Sequence, residues 1–108
     1  MAKDEVVTKA FHREIDLKPF GFDGTLSLIT LDNGMDHTRP NTLGPLSLAE
    51  FDNAITAAQN SNSSAIAVIG KPFIFVAGAD LTVMSFIENR EQALGIGQLG
   101  HKIYRRLL

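Results

Sequence analysis

Residues 25–31, TLSLITL, are β-branched and aliphatic and stand between Gly24 and Asp32-Asn33-Gly34, the pattern of a strand running into a turn. The polar run 35–40 continues that turn as a loop. Ser47-Leu48-Ala49-Glu50 has the spacing of a capping box, and Leu46 before it with Phe51 after it fits a hydrophobic staple. Leu48, Phe51, Ile55 and Ala58 then recur at helical spacing, which predicts a helix over 48–59. After the polar stretch 60–64, Ala65-Ile66-Ala67-Val68-Ile69 is apolar without alternation, as expected of a strand covered on both faces. Strand, helix, strand in this order predicts a right-handed crossover and parallel pairing. Gly70-Lys71-Pro72 breaks that strand, and Phe73-Ile74-Phe75 reads as a new extended piece leading through Val76-Ala77-Gly78-Ala79 into a helix from near Asp80. Ile96, Leu99, Ile103 and Leu107 predict a last helix over about 91–108, with no Gly, Asn or Pro to close it. That unfinished apolar face suggests a chain cut from something longer. Residues 1–23 read as a polar lead with one short strand near 6–11, a turn around Lys18-Pro19 and Gly21, and some mobility.

Composition narrows the class. A length of 108 residues allows one small domain, and 44% hydrophobic with 20% charged residues is ordinary for a folded chain. A net charge of −2, with both signs interspersed, offers no surface for nucleic acid or membrane. The absence of cysteine excludes disulfides, thiolate metal sites and thiol nucleophiles. No apolar signal segment is visible in the first thirty positions, and the apolar run 73–79 is far too short to cross a bilayer, so a cytoplasmic protein is expected. Asn62-Ser63-Ser64 matches a glycosylation sequon that is idle without secretion. His12, His37 and His101 lack metal-ligand spacing, and Asp32, Asp36 and His37 read as an ordinary polar loop, so no metal is expected.

The chemistry sits in 65–81, AIAVIGKPFIFVAGADL. Small residues between an extended segment and a helix let a ligand approach the backbone, and the amides of a helix N-terminus favour developing negative charge. Such a site can hold an oxyanion without any side chain. Asp80 suits the cap of the following helix better than an acid role.

These residues resemble the crotonase superfamily, whose hydratases and isomerases carry a buried strand ending in Gly and then Phe-x-Ala-Gly-Ala-Asp-Leu or Ile. Gly70 and Phe75-Val76-Ala77-Gly78-Ala79-Asp80-Leu81 match in full. Upstream, Leu31-Asp32-Asn33 ends the first strand and Asn41-Thr42-Leu43 stands where the family has Asn-Ala-Leu, followed by a helix containing a Glu. The resemblance covers roughly residues 24–108, with 1–23 as the lead. It implies an α/β fold, a crotonase-type spiral of parallel β/α units, incomplete in this chain. It implies an acyl-CoA thioester substrate whose carbonyl is polarised by two backbone amides, the first that of Ala79. The second amide and the two glutamates of the hydratases are expected beyond Leu108, so the chain alone is expected to be inactive. The positions matching the family's CoA-flanking segments are Thr38, Arg39 and Pro40, and Val76, Ala77 and Gly78 with the adjoining Asp80. Arg39 could meet a CoA phosphate or simply be a solvated loop residue. Met84 and Phe86 could line an acyl pocket or belong to the core.

The favoured activity is hydration of a 2-enoyl-CoA in fatty-acid β-oxidation. Isomerase, thioester hydrolase, decarboxylase, dehalogenase and naphthoate synthase share the same half-site and remain open, as does a non-catalytic remnant or binding module. The lead and loop also resemble the hydratase part of multifunctional β-oxidation proteins, so NAD enters only through a dehydrogenase further along such a chain, and no cofactor is expected in this segment. The family implies a trimer, a dimer of trimers or membership of a β-oxidation complex. Gly95-Ile96-Gly97-Gln98-Leu99-Gly100 spells the dinucleotide fingerprint but lies inside a helical pattern with no strand before it, so it is read as glycines that allow close helix packing.

Overall fold

The computed structural model describes residues 5–80 and 87–108. Strand β1 (Lys9–Asp16) pairs antiparallel with β2 (Thr25–Asp32), from Lys9 opposite Asp32 to Asp16 opposite Thr25. A single 3₁₀ turn over Lys18–Phe20 closes the hairpin. Helix α1 (Pro45–Asn60) follows, and β3 (Ala65–Ile69) returns parallel to β2. The described sheet has the order β1-β2-β3, a small mixed sheet. Helix α2 (Arg90–Arg105) packs across α1. The strand expected near 6–11 lies further along, because Glu5, Val6 and Thr8 are held by contacts with loops and α1 and the hairpin begins only at Lys9.

The core is one layer between sheet and helix: Ile29 and Leu31 of β2, Leu48, Phe51, Ala54, Ile55 and Ala58 of α1, and Ile103 of α2. The helical face expected of α1 is therefore the buried one. Fully burying Phe51, Ile29 or Ile55 contributes roughly 1.5–3 kcal/mol each. Phe51 also meets Tyr104 edge to face, with ring centres 5.4 Å apart. Arg106 closes α2 onto α1, pairing with the Asp52 carboxylate and donating to Thr56 Oγ1 at 3.0 Å and Gln59 Oε1 at 2.9 Å. On the same side, Ser27 is fully buried and its hydroxyl joins His12 Nε2, Ser61 Oγ and Ser63 Oγ, tying the hairpin to the loop after α1.

The other sheet face is open. Phe11, Thr30 and Ile69 stand in one row across the three strands, along a groove of about 600 Å³. Ala65 and Ile69 of β3 are exposed. The expectation that β3 is covered on both faces fails at these two positions, while Leu28 on the same sheet face is buried among its strand neighbours. The radius of gyration is 15.3 Å, above the ~13 Å of a compact domain of about this length.

Helix capping also departs from expectation. Gly44, not Ser47, is the N-cap of α1, with Pro45 in its first turn. The Glu5 carboxylate does the capping from forty residues away. It accepts Leu46 N and Ser47 N at 2.8 Å each, and the Ser47 hydroxyl also donates to it. A Cβ at position 44 would lie 2.6 Å from the Glu5 carboxyl carbon, so a side chain there would displace the capping carboxylate. The staple is absent too, with Phe51 buried but Leu46 41% exposed. The reciprocal cap belongs to α2: Asn89 accepts Gln92 N at 2.9 Å, and Gln92 Oε1 accepts Glu88 N at 2.8 Å. Among the described residues a Cβ at Gly95 or Gly97 would meet nothing within 4 Å, whereas one at Gly100 would come 4.0 Å from a Leu48 methyl, and α2 docks through its C-terminal half at Ile103.

Glu5→Ala strips the acceptor from two amides of the first turn of α1 and is expected to cost about 1–3 kcal/mol in urea unfolding. Glu50→Ala is expected to change stability by less than about 0.5 kcal/mol. The reverse ranking would restore the local capping box and refute the long-range cap.

Candidate functional site

The site is assembled around a buried asparagine. Asn41 is fully buried, and its side-chain amide donates to Leu31 O at 2.8 Å and Phe75 O at 3.0 Å while its Oδ1 accepts Asn33 N at 2.9 Å. Its backbone carbonyl accepts Ala77 N at 2.8 Å. One residue thus joins the end of β2, the 33–40 loop and the approach to Ala77-Gly78-Ala79. Sequence reasoning identified Asn41 as part of a motif and missed this structural role. Its position beside a strand end and opposite a glycine turn was the available signal.

The 41–43 segment runs alongside 77–80. Leu43 N donates to Gly78 O at 2.8 Å and Asp80 N donates to Leu43 O at 2.9 Å, so Leu43 and Ala79 form a parallel bridge. In such a bridge the bonds reach the residues flanking Ala79, and the N–H and C=O of Ala79 itself face the opposite side. Ala79 is exposed, and among the described residues its amide makes no hydrogen bond. Gly78 precedes it at φ +108°, a backbone conformation that side chains rarely adopt. Val76 is half-buried against the core, and Ala77 and Gly78 are exposed. Asp80 is buried and its Oδ2 accepts Val6 N at 2.9 Å, so it ties the N-terminal segment to the turn. Met84, Phe86 and the helix expected from near Asp80 lie outside the described residues.

Arg39, Pro40 and Asp80 come together as walls of a cavity of about 200 Å³, completed by Val6, Asn33, Met35 and Thr42. Thr38 is turned into its own loop instead. Its amide donates to Asp36 Oδ1 at 2.9 Å and its hydroxyl donates to the same oxygen. These Thr38 bonds hold the Asp36 carboxyl below the usual carboxylate range, with Lys71 and Arg39 adding a smaller attraction. Lys71, a residue sequence reasoning passed over as a strand breaker, is buried with its ammonium among loop oxygens. Phe73 does not continue an extended strand. It sits at φ +73°, 95% exposed, in a turn between Lys71 and Ile74, with its ring edge to face with His37 at 5.9 Å. Ile74 N closes the turn by donating to Lys71 O at 3.2 Å. No group of three or more His, Cys, Asp or Glu able to hold a metal occurs among the described residues. Nor is any described helix long and apolar enough to cross a membrane.

A mixed α/β layer carrying an uncommitted amide at a glycine turn defines the class of fold, and comparison with known proteins agrees. The chain is similar in fold to the solved structure of Pseudomonas aeruginosa DspI, with a TM-score of 0.64 and 22% identity over 92% of this chain and 37% of that one. It is 31% identical over 87 residues to the fatty acid oxidation complex subunit alpha of Shewanella frigidimarina (strain NCIMB 400), covering 79% of this chain. The chain spans 12% of that relative's length. No family model matches the chain. Together with the Phe75 to Leu81 motif, the two matches support the crotonase superfamily as the family of this chain.

Asp36 is favoured in its ionised form by the fold, so its contribution is present above the ordinary carboxylate range and is lost as pH falls through its lowered value. Thr38→Ala is expected to move the Asp36 titration upward, read by carboxyl-carbon NMR. An unchanged titration would mean that Thr38 does not hold that carboxylate in solution.

Proposed function

We propose that this chain supplies the thioester-binding half of an acyl-CoA enzyme, an enoyl-CoA hydratase of fatty-acid β-oxidation, with the Ala79 amide as one oxyanion donor. The observation that carries the reading is the exposed Ala79 N–H, turned away from the Leu43 bridge at a left-handed glycine. A donor of this kind costs no reorganisation as charge develops on the carbonyl oxygen, because its neighbours on both sides are already bonded. Arg39, at the mouth of the neighbouring cavity, is placed in this reading to meet a phosphate of the CoA moiety. Val76, Ala77, Gly78 and Pro40 flank the thioester by backbone and shape, and Asp80 holds the turn. Met84 and Phe86, outside the described residues, remain candidates for the acyl side or the core. CoA is part of the substrate, and the reading asks for no further cofactor in this segment.

The three-stranded sheet is, in the same reading, the opening of a spiral of β/α units, and the parent protein acts within a fatty-acid oxidation assembly. The name of the Shewanella frigidimarina relative supports that choice over the other crotonase chemistries. The second oxyanion donor and the acid–base glutamates are placed outside residues 1–108. Of the chain's own glutamates, Glu5 is committed to capping α1.

Replacing the peptide bond between Gly78 and Ala79 by an ester, in the protein that carries this chain, removes the donor and keeps the shape. The expected result is a fall in kcat on crotonyl-CoA of about 10²–10³-fold with little change in KM. A kcat within about twofold of the parent would remove Ala79 from the mechanism. Residues 1–108 alone are expected to give no turnover, and measurable hydration by them would place the acid–base groups inside this chain.

A further inference from the structure

Lys71 is 8% exposed, and its ammonium nitrogen touches four oxygens: Asn33 Oδ1 at 2.6 Å, Met35 O and Asp36 O at 2.9 Å each, and Arg39 O at 2.5 Å. An ammonium has three protons, so four acceptors cannot each receive a directed bond. Four oxygens converging on one buried positive centre is the arrangement of an ion cage. Three of the four are backbone carbonyls and the fourth is a side-chain amide oxygen, so the cage carries no formal charge of its own in contact with the cation. Two of its distances, 2.9 Å each, exceed the roughly 2.3–2.6 Å typical of calcium, and its oxygens lack the carboxylates calcium prefers. Carbonyl rings of this kind replace the hydration shell of potassium.

We propose that the 33–40 loop is organised around a monovalent-cation site whose resident cation is the tethered ammonium of Lys71. Removing the side chain leaves a cage that potassium or ammonium ions can fill. The cage fixes a loop otherwise made of polar turns. Asn33 supplies one oxygen to it and with its own amide nitrogen donates to Arg39 O at 3.0 Å and Pro40 O at 3.2 Å. The carbonyl of Arg39 is itself one wall, so the cation sets where the Arg39 backbone lies. Lys71 is thereby a positioning residue for Arg39, a step that rests on the acyl-CoA reading above. The cage itself does not.

The test is hydrogen exchange of the 33–40 amides in the 108-residue chain, for Lys71→Ala and Lys71→Met. Both are expected to exchange at least about tenfold faster than wild type in a buffer with only tetramethylammonium as cation, a loss of ~1.4 kcal/mol of local protection. Potassium or ammonium chloride should restore protection to Lys71→Ala, lithium should not, and Lys71→Met, with its cage filled by the thioether chain, should not respond. Wild-type protection in Lys71→Met would overturn the proposal, since packing of the aliphatic stem would then suffice. So would a Lys71→Ala chain that potassium fails to restore, global unfolding included. Calorimetry with free CoA separates the second step: Lys71→Ala should bind more weakly and recover with potassium. If wild type binds no CoA while the exchange pattern holds, the cage stands and the acyl-CoA reading falls.

Discussion

The buried amide of Asn41 is the constraint from which the site follows. A side chain with no exposed surface must satisfy its polar atoms inside the protein, and Asn41 does so with three different segments. Its short stem lets one planar group reach the Leu31 carbonyl near the end of β2, a loop amide and the carbonyl of Phe75 at once. An aspartate would present an oxygen to two carbonyls, and a glutamine would overreach by a methylene in a packed space. Removing the group strands the buried carbonyl of Leu31, at about 1–3 kcal/mol, and frees the partners of its part-buried bonds at Asn33 and Phe75. That junction works beside the backbone bonds of Leu43 to Gly78 and Asp80, which set the direction of Ala79.

Two buried charges extend the same logic outward. Glu5 and Lys71 are both nearly inaccessible, and both are surrounded by backbone groups of the opposite polarity rather than by each other. An isolated buried ion is prohibitively costly, whereas one that meets three or four hydrogen-bonding atoms is tolerable and rigidifies what it meets. Glu5 fixes the start of α1 against the N-terminal segment. Lys71 fixes the 33–40 loop against the turn after β3. In both cases a distant side chain finishes what local sequence leaves open.

This division explains what could be read in advance. The strand at 25–31, the face of α1 and the parallel return of β3 depend on local periodicity, and each is found as the pattern predicts. The turn at Gly78 was legible because a left-handed backbone leaves its trace in small residues. Ser47 and Glu50 have capping-box spacing, but Ser47 is drawn into contact with Glu5 and Thr8, and no short window shows a competitor forty residues away. The box that does form, Asn89 with Gln92, lacks the Ser/Thr–Glu signature that marks such boxes most plainly. Lys71 looked like a strand terminator beside Gly70 and Pro72, and its role appears only once the loop 33–40 is folded next to it. β3 was read as doubly covered from its composition, and composition cannot say what else packs on a sheet.

The junction also makes the two halves of the proposed site mechanically one. Starting from Lys71, the chain of contacts runs through Asn33 Oδ1 to the Asn33 amide, on to Asn41 Oδ1, and from the Asn41 carbonyl to Ala77 N, two residues before Ala79. Every link is shorter than 3.0 Å and Asn41 and Lys71 are buried. Hydrogen bonds in a low-dielectric setting reinforce one another, so a shift of the loop is not absorbed locally. A loop displaced from its cation would move Asn33, and Asn41 cannot follow it without releasing Leu31, Phe75 or Ala77. The part of the site proposed to meet a charged moiety and the part proposed to meet a carbonyl are thus joined by one network. That is a physical reason for Asn41-Thr42-Leu43 and the Ala77-Gly78-Ala79 turn to occur together in the same chain.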